Sequence, residues 1–234
     1  MTPTICEIAA GDPRLDAFHR GIYLDEFAEQ QEPLATWHAA LRGDKPYALT
    51  IELALEGDRI LGGICIERYP RSGCGLLTYL VVAPDQRGQG LGKRLQTAAV
   101  EGLYARGARL VLGELNDPRR TTLEPADAAW ERVHRNQRWG ARVIDARYVQ
   151  PSLGAGRDRQ LLLIALAGSQ PLPSAIDGAL VRAFLERGHG GWAPGSRDRD
   201  PRRATAGRAV IEWTPELRLQ VHASRAHPTK VKQS

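Results

Sequence analysis

The sequence lacks the features that mark membrane, secreted, repeat and metal-binding proteins. It contains no run of 18 apolar residues, so we expect no membrane span. Its first ten residues include neither a basic segment nor a long apolar stretch, which predicts no signal peptide and a cytoplasmic location. No internal repeat is visible. The three cysteines, Cys6, Cys65 and Cys74, show no metal-ligand spacing, so we predict reduced thiols and no metal site. A redox pair of Cys65 and Cys74, which flank a predicted hairpin, is the alternative.

Most of the chain also lacks a net charge. Residues 1–170 contain 21 basic and 21 acidic side chains, whereas residues 171–234 contain 11 basic and 6 acidic ones. The basic excess therefore lies in the last quarter of the chain, around a segment rich in glycine and proline. A solvated loop is the favoured interpretation, and a contact with a polyanion is the alternative. Because no stripe of aromatic residues accompanies these charges, we do not expect nucleic acid as a partner.

The most informative segment runs from Leu76 to Leu95. An apolar β-type run ends at Pro84, three glycines then fall within five residues, and a helical pattern begins at Leu91. A strand, a glycine loop and a helix N-terminus in that order form an anion site from backbone amides. Glycine lets a phosphate approach without a Cβ in the way. We therefore predict a bound phosphate or pyrophosphate; a loop that merely joins a strand to a helix is the alternative.

The spacing within this loop excludes two common phosphate sites. A P-loop requires Ser or Thr directly after its lysine, but Lys93 is followed by Arg94. The dinucleotide fingerprint requires Gly-x-Gly-x-x-Gly, and the glycines of residues 88–92 have the wrong third interval. The pattern that fits is Arg-x-x-Gly-x-Gly, which begins at Arg87.

This segment resembles the pyrophosphate loop of the GNAT superfamily, the acyl-CoA-dependent N-acyltransferases. The resemblance implies that backbone groups of Leu80, Val81 and Val82 pair with the pantetheine arm of acetyl-CoA. It implies that the loop and the first helical turn hold the pyrophosphate through Arg87, Gly88, Gln89, Gly90, Leu91, Gly92 and Lys93. Acetyl-CoA is then the co-substrate, and no metal takes part.

The order of predicted elements agrees with that resemblance. Over residues 3–168 the patterns predict β, α, α, β, β, β, α, β, α, β, β, which is the GNAT topology. We therefore predict an α/β (α+β) fold with a mixed central sheet, two splayed parallel strands and flanking helices. Residues 1–168 form the predicted acetyltransferase domain. Residues 169–234 form a predicted extension with one helix, a basic loop rich in Gly, Pro and Arg, a short strand and a frayed tail.

The implied reaction is the transfer of an acetyl group to an amine by direct attack in a ternary complex, and it needs a base. An ammonium cannot attack, so a carboxylate or a water chain must remove its proton. Glu114, at the end of the strand after the main helix, is the first candidate, and Glu67 is the second. The structural alternatives are an exposed strand end for Glu114 and, for Glu67, an ion pair with Arg68 or Arg71.

The reaction also needs support for the oxygen of the thioester. Family members bulge the strand before the loop, and a bulge re-aims a backbone N–H. The resemblance places this bulge at Leu80–Val81, where the N–H of Leu80 or Val81 would support the developing oxyanion. Core packing is the alternative role for Leu80.

The chain departs from the family at the group that protonates CoA. Where family members commonly have a tyrosine on the last helix, this chain has Asn136, which can hydrogen-bond the sulfur or the pantetheine but cannot act as an acid. His134 and Tyr148 are the remaining candidate acids, and CoA can also leave as the thiolate. The alternative function is therefore a non-catalytic CoA-binding sensor or scaffold.

The implied acceptor is a small-molecule or peptide amine, and the chain is expected to be a monomer or a homodimer. Three acidic residues near one helix end either attract a cationic amine or form a solvated helix face: Asp25, Glu26 and Glu29. Four aromatic residues either line the acceptor cleft or fill the core: Trp37, Tyr47, Tyr69 and Tyr79.

Overall fold

A mixed β-sheet with helices on both faces forms the centre of the protein. The computed structural model describes residues 2–27, 31–144, 148–150, 159–187 and 210–211. The strands are β1 (Thr4–Glu7), β2 (Ala48–Glu56), β3 (Arg59–Tyr69), β4 (Cys74–Val82), β5 (Leu110–Asn116), β6 (Arg142–Val143), β7 (Tyr148–Gln150), β8 (Arg159–Ala165), β9 (Ile176–Asp177) and β10 (Val210–Ile211). The helices are α1 (Pro13–Phe18), α2 (Leu24–Glu26), α3 (Leu34–Leu41), α4 (Leu91–Ala105), α5 (Ala126–Arg138) and α6 (Gly178–Arg187).

The two central strands of the sheet run in parallel and then separate. The strand order is β1-β2-β3-β4-β5-β8-β6, and β7 also pairs with β8. β4 and β5 pair in parallel over Cys74–Leu77 and Leu110–Gly113, and both strands continue past those residues. The other pairs described within this sheet are antiparallel. The predicted α/β class, mixed sheet and splayed parallel pair are confirmed.

Side chains alternate between the two faces of the sheet and build a core on each. We call the side of Ile64 and Ile66 the α4 face, because α4 and α5 cover it. We call the side of Leu53 and Cys65 the α1 face, because α1 and α3 cover it there. Farther along the α1 face, α6 covers the part of the sheet that includes Leu112.

The first helix contains an irregular turn. Asp12 caps α1 by accepting a hydrogen bond from Arg14 N–H at 2.9 Å. A π-helical turn, His19–Tyr23, then joins α1 to α2, and Leu24 N–H donates to His19 O. His19 and Tyr23, the first and last residues of this turn, are both buried.

The part of the predicted extension that lies nearest the sheet is packed on it. Phe184 of α6 is fully buried, and its ring meets Tyr69 edge-on, with 5.5 Å between centroids. Leu180 and Val181 belong to the same hydrophobic cluster as Leu112. The division of the chain at residue 168 stays a prediction, but α6 shares its core with the sheet.

Two predicted strands differ from the structure in their bounds. The strand expected over residues 142–149 is present as β6 and β7, and residues 145–147 lie outside the described part of the chain. The late strand predicted from residue 210 is β10, which pairs with β9. The basic loop and the tail of the predicted extension lie outside the described residues.

Candidate active site

The glycine loop connects β4 to α4 and opens towards free space. A 3-10 turn, Pro84–Gln86, follows β4, and α4 begins at Leu91 with Gly90 as its N-cap. Gly88 and Gly90 have φ angles of 78° and 81°, which L side chains rarely adopt. A Cβ on either residue would meet nothing within 4 Å, so the space beside both glycines is open. The predicted loop is present, and its backbone can be approached closely.

The first turn of α4 supplies amides and positive charge. Arg94 N–H donates to Gly90 O at 3.1 Å, so Leu91 to Lys93 are first-turn residues, whose N–H groups have no intrahelical acceptor. No acidic residue lies in this turn, and Lys93 is exposed. The turn is thus a helix N-terminus suited to an anion.

Arg87 braces the loop with its side chain. Its Nε donates to Val82 O at 3.0 Å, and its guanidinium forms an ion pair with Glu26 of α2 at 2.7 Å. Gln89 Nε2 donates to Asp85 O at 3.2 Å. The contacts of Arg87 tie the loop both to the end of β4 and to the first helical segment.

The bulge in β4 lies at Thr78, earlier than predicted. The register of β4 against β3 steps from Leu77 to Tyr79, which leaves Thr78 as the extra residue, and Thr78 Oγ1 donates to Cys65 O at 3.0 Å. The prediction of a bulge at Leu80–Val81 was wrong, because these residues pair regularly with β3. The bulge falls where pairing between β4 and β5 ends, so β4 is held there on one side only.

Beyond the bulge, β4 presents backbone groups to the gap between β4 and β5. Ala83 N–H donates to Leu61 O on β3 at 2.9 Å. Because backbone groups alternate between the two edges of a strand, those of Leu80 and Val82 point away from β3 and into the gap. By the same alternation Val81 turns its N–H and C=O to β3. Leu80 therefore offers its N–H towards the open side, as a thioester oxygen would require.

One flank of α5 faces the glycine loop. A Cβ on Gly92 would lie 3.3 Å from the Trp139 ring and 3.6 Å from Val82 Cγ2, so Trp139, at the end of α5, packs beside the loop. Asn136 is three residues before Trp139 and shares this flank. Its Nδ2 donates to Arg132 O at 3.0 Å. Asn136 thus lies on the side of α5 that the resemblance implies.

His134 points to another side of the same helix. His134 is two residues before Asn136, and this spacing places the two side chains about 200° apart around the helix axis. Its ring stacks on Trp130, with 5.7 Å between centroids. The helical geometry therefore turns His134 away from the flank that faces the loop.

The two leading candidates for proton transfer lie together on the α1 face. Tyr148 donates a hydrogen bond from its hydroxyl to Glu114 Oε1. Tyr148 is buried, and Glu114 is half-buried at the level where β5 has separated from β4. These residues are 34 positions apart in the sequence, and only the pairing of β7 with β8 brings them together.

The second candidate base is held by a different tyrosine. Tyr69 donates from its hydroxyl to Glu67 Oε2, and both side chains are buried. Burial raises the pKa of Tyr69, and the charges of Glu67 and Glu114 add to this effect. Both carboxylates therefore act on the Tyr69 hydroxyl, which lies on the same face as Tyr148.

The two described acidic residues that were predicted to attract the acceptor lie at the surface of α2. Glu26 pairs with Arg87 at the glycine loop, Asp25 is exposed on α2, and Glu29 lies outside the described residues. The structure instead points to an acidic residue that the sequence analysis missed, Glu32, which precedes α3.

Aromatic side chains hold Glu32 in place. Trp37 Nε1 donates to Glu32 Oε2 at 2.8 Å, and Glu32 N–H donates to the Tyr23 hydroxyl at 2.8 Å. His19 Nε2 lies 2.9 Å from Glu32 O. Burial raises the pKa of the Glu32 carboxyl, and the Trp37 hydrogen bond opposes that rise. In the sequence, a tryptophan five residues after Glu32 is only a weak signal of this contact. The π turn on which His19 and Tyr23 lie leaves no sequence signal.

The rings around Glu32 also include Tyr79 of β4. Its ring lies 4.9 Å from Tyr23 and 5.1 Å from Phe27, centroid to centroid. Burial raises the pKa of Tyr79, with further contributions from Tyr23 and Glu32. The predicted aromatic residues therefore line the α1 face and pack against one another.

Two further features were sought in the described part of the chain. No group of three or more His, Cys, Asp or Glu side chains is placed to hold a metal ion there. Within the same residues, no helix has the length and apolar character needed to cross a membrane.

A family comparison agrees with this geometry. The model of the acetyltransferase (GNAT) family matches residues 13–144, which is more than half of the chain. The match includes β4, the glycine loop, Glu114 and α5. No curated protein is similar enough in sequence to count as a relative.

Solved structures share the fold at low sequence identity. A protein from Bacteroides thetaiotaomicron, described as a GNAT-family acetyltransferase, is 17% identical, with a TM-score of 0.54 over 71% of this chain and 88% of that one. An acetyltransferase from Salmonella typhimurium with acetyl-CoA bound is 13% identical, with a TM-score of 0.52 over 74% and 98%. Ard1 from Thermoplasma volcanium is 14% identical, with a TM-score of 0.50 over 71% and 99%.

Proposed function

The chain belongs to the GNAT family of acetyltransferases, and from this we propose that it transfers an acetyl group from acetyl-CoA to an amine by direct attack in a ternary complex. The observation that carries the proposal is the position of the glycine loop. The loop lies between the end of β4 and the start of α4, directly beyond the part of β4 that no longer pairs with β5. A site for an anion therefore adjoins a strand edge that can bind an extended chain. Pyrophosphate and pantetheine are joined in that same order in acetyl-CoA.

In this proposal the backbone binds most of the donor. First-turn amides from Leu91 to Lys93, with the amides of Gly88, Gln89 and Gly90, face the pyrophosphate. Arg87 keeps the loop in position through Val82 and Glu26, and the Lys93 side chain adds positive charge. Val81 turns its own N–H and C=O to β3. The backbone contacts with pantetheine that were predicted for this segment are therefore made by its neighbours, Leu80 and Val82.

Leu80 supports the reacting carbonyl group. Its N–H points into the gap between β4 and β5, where it would donate to the thioester oxygen as negative charge develops. One preorganised donor of this kind contributes about 10²–10³ in rate. This role is supported by the end of β4–β5 pairing at Leu77, beside the bulge at Thr78, because the edge of β4 that carries the Leu80 N–H is then left open to a ligand.

Glu114 is the proposed base. It takes a proton from the ammonium form of the acceptor, directly or through water, and the neutral amine then attacks the thioester carbon. The hydrogen bond from Tyr148 fixes the Glu114 carboxylate on the α1 face, at the level where β5 has separated from β4. As the C–S bond breaks, the acetylated nitrogen releases its second proton to solvent.

The departing sulfur receives a proton from Tyr148 or from solvent. Asn136 lies on the flank of α5 that faces the loop, where its amide would contact the pantetheine or the sulfur but would transfer no proton. Tyr148 is therefore the proposed acid, and its proton is replenished from Glu114 through the bond they share.

A charge placed in the loop tests the proposed donor site. Gly90→Glu introduces a carboxylate where the pyrophosphate binds, so isothermal titration should show acetyl-CoA affinity falling below detection. Gly43→Glu is the matched control: Gly43 also has a positive φ, 86°, and open space around it, but it lies at the end of α3. Equal affinities in the two variants would contradict the placement of the loop.

Replacement of the proposed base, Glu114, distinguishes an enzyme from a non-catalytic CoA-binding sensor. Glu114→Gln should lower kcat by about 10²–10⁴-fold, because general base catalysis contributes that much, while acetyl-CoA affinity is unchanged. CoA release is measured against a panel of amines and peptides. If the natural protein binds acetyl-CoA and acetylates no acceptor in the panel, the sensor alternative is correct.

A further inference from the structure

We propose that Glu32 selects the acceptor by binding a positive charge on it other than the amine that is acetylated. The inference rests on the proposed acetyl transfer and names its substrate class, a small aliphatic amine with two cationic groups. No other acidic residue near the first helices combines burial, fixed geometry and a place on the acceptor side in the described part of the chain.

Glu32 is held in one orientation by bonds at three atoms. Its N–H is bound by Tyr23, its C=O lies against His19, and its Oε2 accepts from Trp37. Within the described residues, Oε1 receives no hydrogen bond and the carboxylate forms no salt bridge. The side chain is therefore preorganised, and one oxygen is available to a ligand.

The surroundings of the Glu32 carboxylate suit an ammonium group. Trp37, which donates to this carboxylate, has its ring 6.0 Å from that of Tyr79 between centroids. Burial raises the pKa of Tyr79, and the charges of Tyr23 and Glu32 add to that rise. A carboxylate among aromatic rings binds an alkylammonium through charge and through cation–π contact. Lys45 and His19 are the basic residues whose charges act on Glu32.

Glu32 lies on the acceptor side of β4. Tyr79, which it influences, directly follows the bulge and directly precedes Leu80, and its side chain points to the α1 face. A group bound at Glu32 is therefore close to the strand whose edge receives the thioester, but on the face opposite α4.

Glu32 and Glu114 lie towards opposite ends of a row of side chains on this face. The Tyr47 and Tyr69 rings lie 5.6 Å apart between centroids, and Tyr69 donates to the buried Glu67 within this row. Burial raises the pKa of both tyrosines; the charges of Glu67 and then Glu32 add to the rise for Tyr47, and those of Glu67 and then Glu114 add to it for Tyr69. A molecule with one amine at Glu114 and a second cationic group at Glu32 would span this row. A monoamine would use only the Glu114 end.

The test compares acceptors that differ only in the second charge, the diaminoalkanes from 1,4-diaminobutane to 1,8-diaminooctane and the matching 1-aminoalkanes. The natural protein should acetylate at least one diamine with a higher kcat/KM than the matching monoamine. Glu32→Gln keeps an acceptor for Trp37 Nε1 but removes the charge, and it should lower kcat/KM for that diamine by about 10- to 100-fold, mainly through KM, because a hydrogen bond to a charged group contributes that much. Its kcat/KM for the matching monoamine should not change.

Glu56→Gln is the matched control, the same change at an exposed position at the end of β2, and it should leave both acceptors unaffected. Thermal unfolding and acetyl-CoA titration establish that Glu32→Gln is folded and binds the donor. If Glu32→Gln lowers kcat/KM equally for the diamine and the monoamine, or lowers it for neither, the inference is overturned while the proposed acetyl transfer stands. Absence of acetyl-CoA binding in the natural protein would instead overturn the proposed function.

Discussion

Glu52 shows how one buried carboxylate affects stability. It lies on the α4 face, it is buried, and its Oε2 has no hydrogen-bond partner. Its neighbour across the strands is Glu7, which pairs with Arg106 at 2.5 Å. Burial raises the pKa of Glu52; Arg106 opposes the rise and Glu7 adds to it. Ionisation of Glu52 is therefore unfavourable in the folded protein.

Glu52→Gln should stabilise the protein at neutral pH. Because the folded pKa is above the ordinary value of 4.5, the contribution of Glu52 to stability is present below that value and is lost as pH rises through the folded pKa. The free energy of unfolding of the variant, measured in urea at pH 7, should be higher than that of the natural protein by on the order of 1 kcal/mol, the cost typical of a buried unsatisfied group. The difference should disappear at acidic pH.

Glu56→Gln provides the comparison for this prediction, since Glu56 is exposed at the end of the same strand. It should change stability at neither pH. A gain for Glu52→Gln that is equal at neutral and acidic pH would mean that charge is not the cause.

At the scale of elements, the structure separates what patterns predict from what packing decides. The order of strands and helices over residues 3–168 and the start of α4 at Leu91 follow from local turn and periodicity signals, and the start of α4 was predicted to the residue. The bulge at Thr78 was not, because its position depends on where β5 stops pairing with β4. That point is set by β5 and β8, whose residues are far away in the sequence.

Helix α6 should contribute strongly to stability. Phe184 is fully buried against Tyr69, so Phe184→Ala leaves a cavity beneath α6. We expect urea unfolding to show a loss of about 3–5 kcal/mol, the range measured for truncating a buried phenylalanine. Glu186→Ala, at an exposed position of the same helix, should have little effect. A small loss for Phe184→Ala would indicate that α6 is only loosely attached to the sheet.

At the scale of the whole molecule, the two faces of the sheet have different roles in the proposed reaction. The glycine loop opens the helix that covers the α4 face, whereas Glu114, Tyr148 and Glu32 act on the α1 face. The gap between β4 and β5 is where the two sides meet. This arrangement favours a ternary complex, in which donor and amine are bound together.

The two buried thiols, Cys65 and Cys74, are poorly suited to a covalent intermediate. Burial raises the pKa of Cys65 well above its usual range and the pKa of Cys74 to about 11. Both side chains are fully buried. A neutral, buried thiol is a weak nucleophile.

Initial-rate measurements should therefore give intersecting double-reciprocal lines when acetyl-CoA and amine are varied. Mass spectrometry of the protein mixed with acetyl-CoA alone should show no acetyl adduct. Parallel lines together with an adduct on a cysteine would contradict direct transfer and favour an acetylated enzyme.

The sequence by itself determined the strand, the glycine loop and the helix start, because these depend on neighbouring residues: an apolar run, glycines that allow positive φ, and an apolar helical stripe. It also located Glu114 and Tyr148 as separate candidates. Only the tertiary structure decided that these two are hydrogen-bonded, that the bulge lies at Thr78, and that Glu32 is held beside Tyr79. Each of these depends on strand pairing or helix packing between distant segments, which no local pattern encodes.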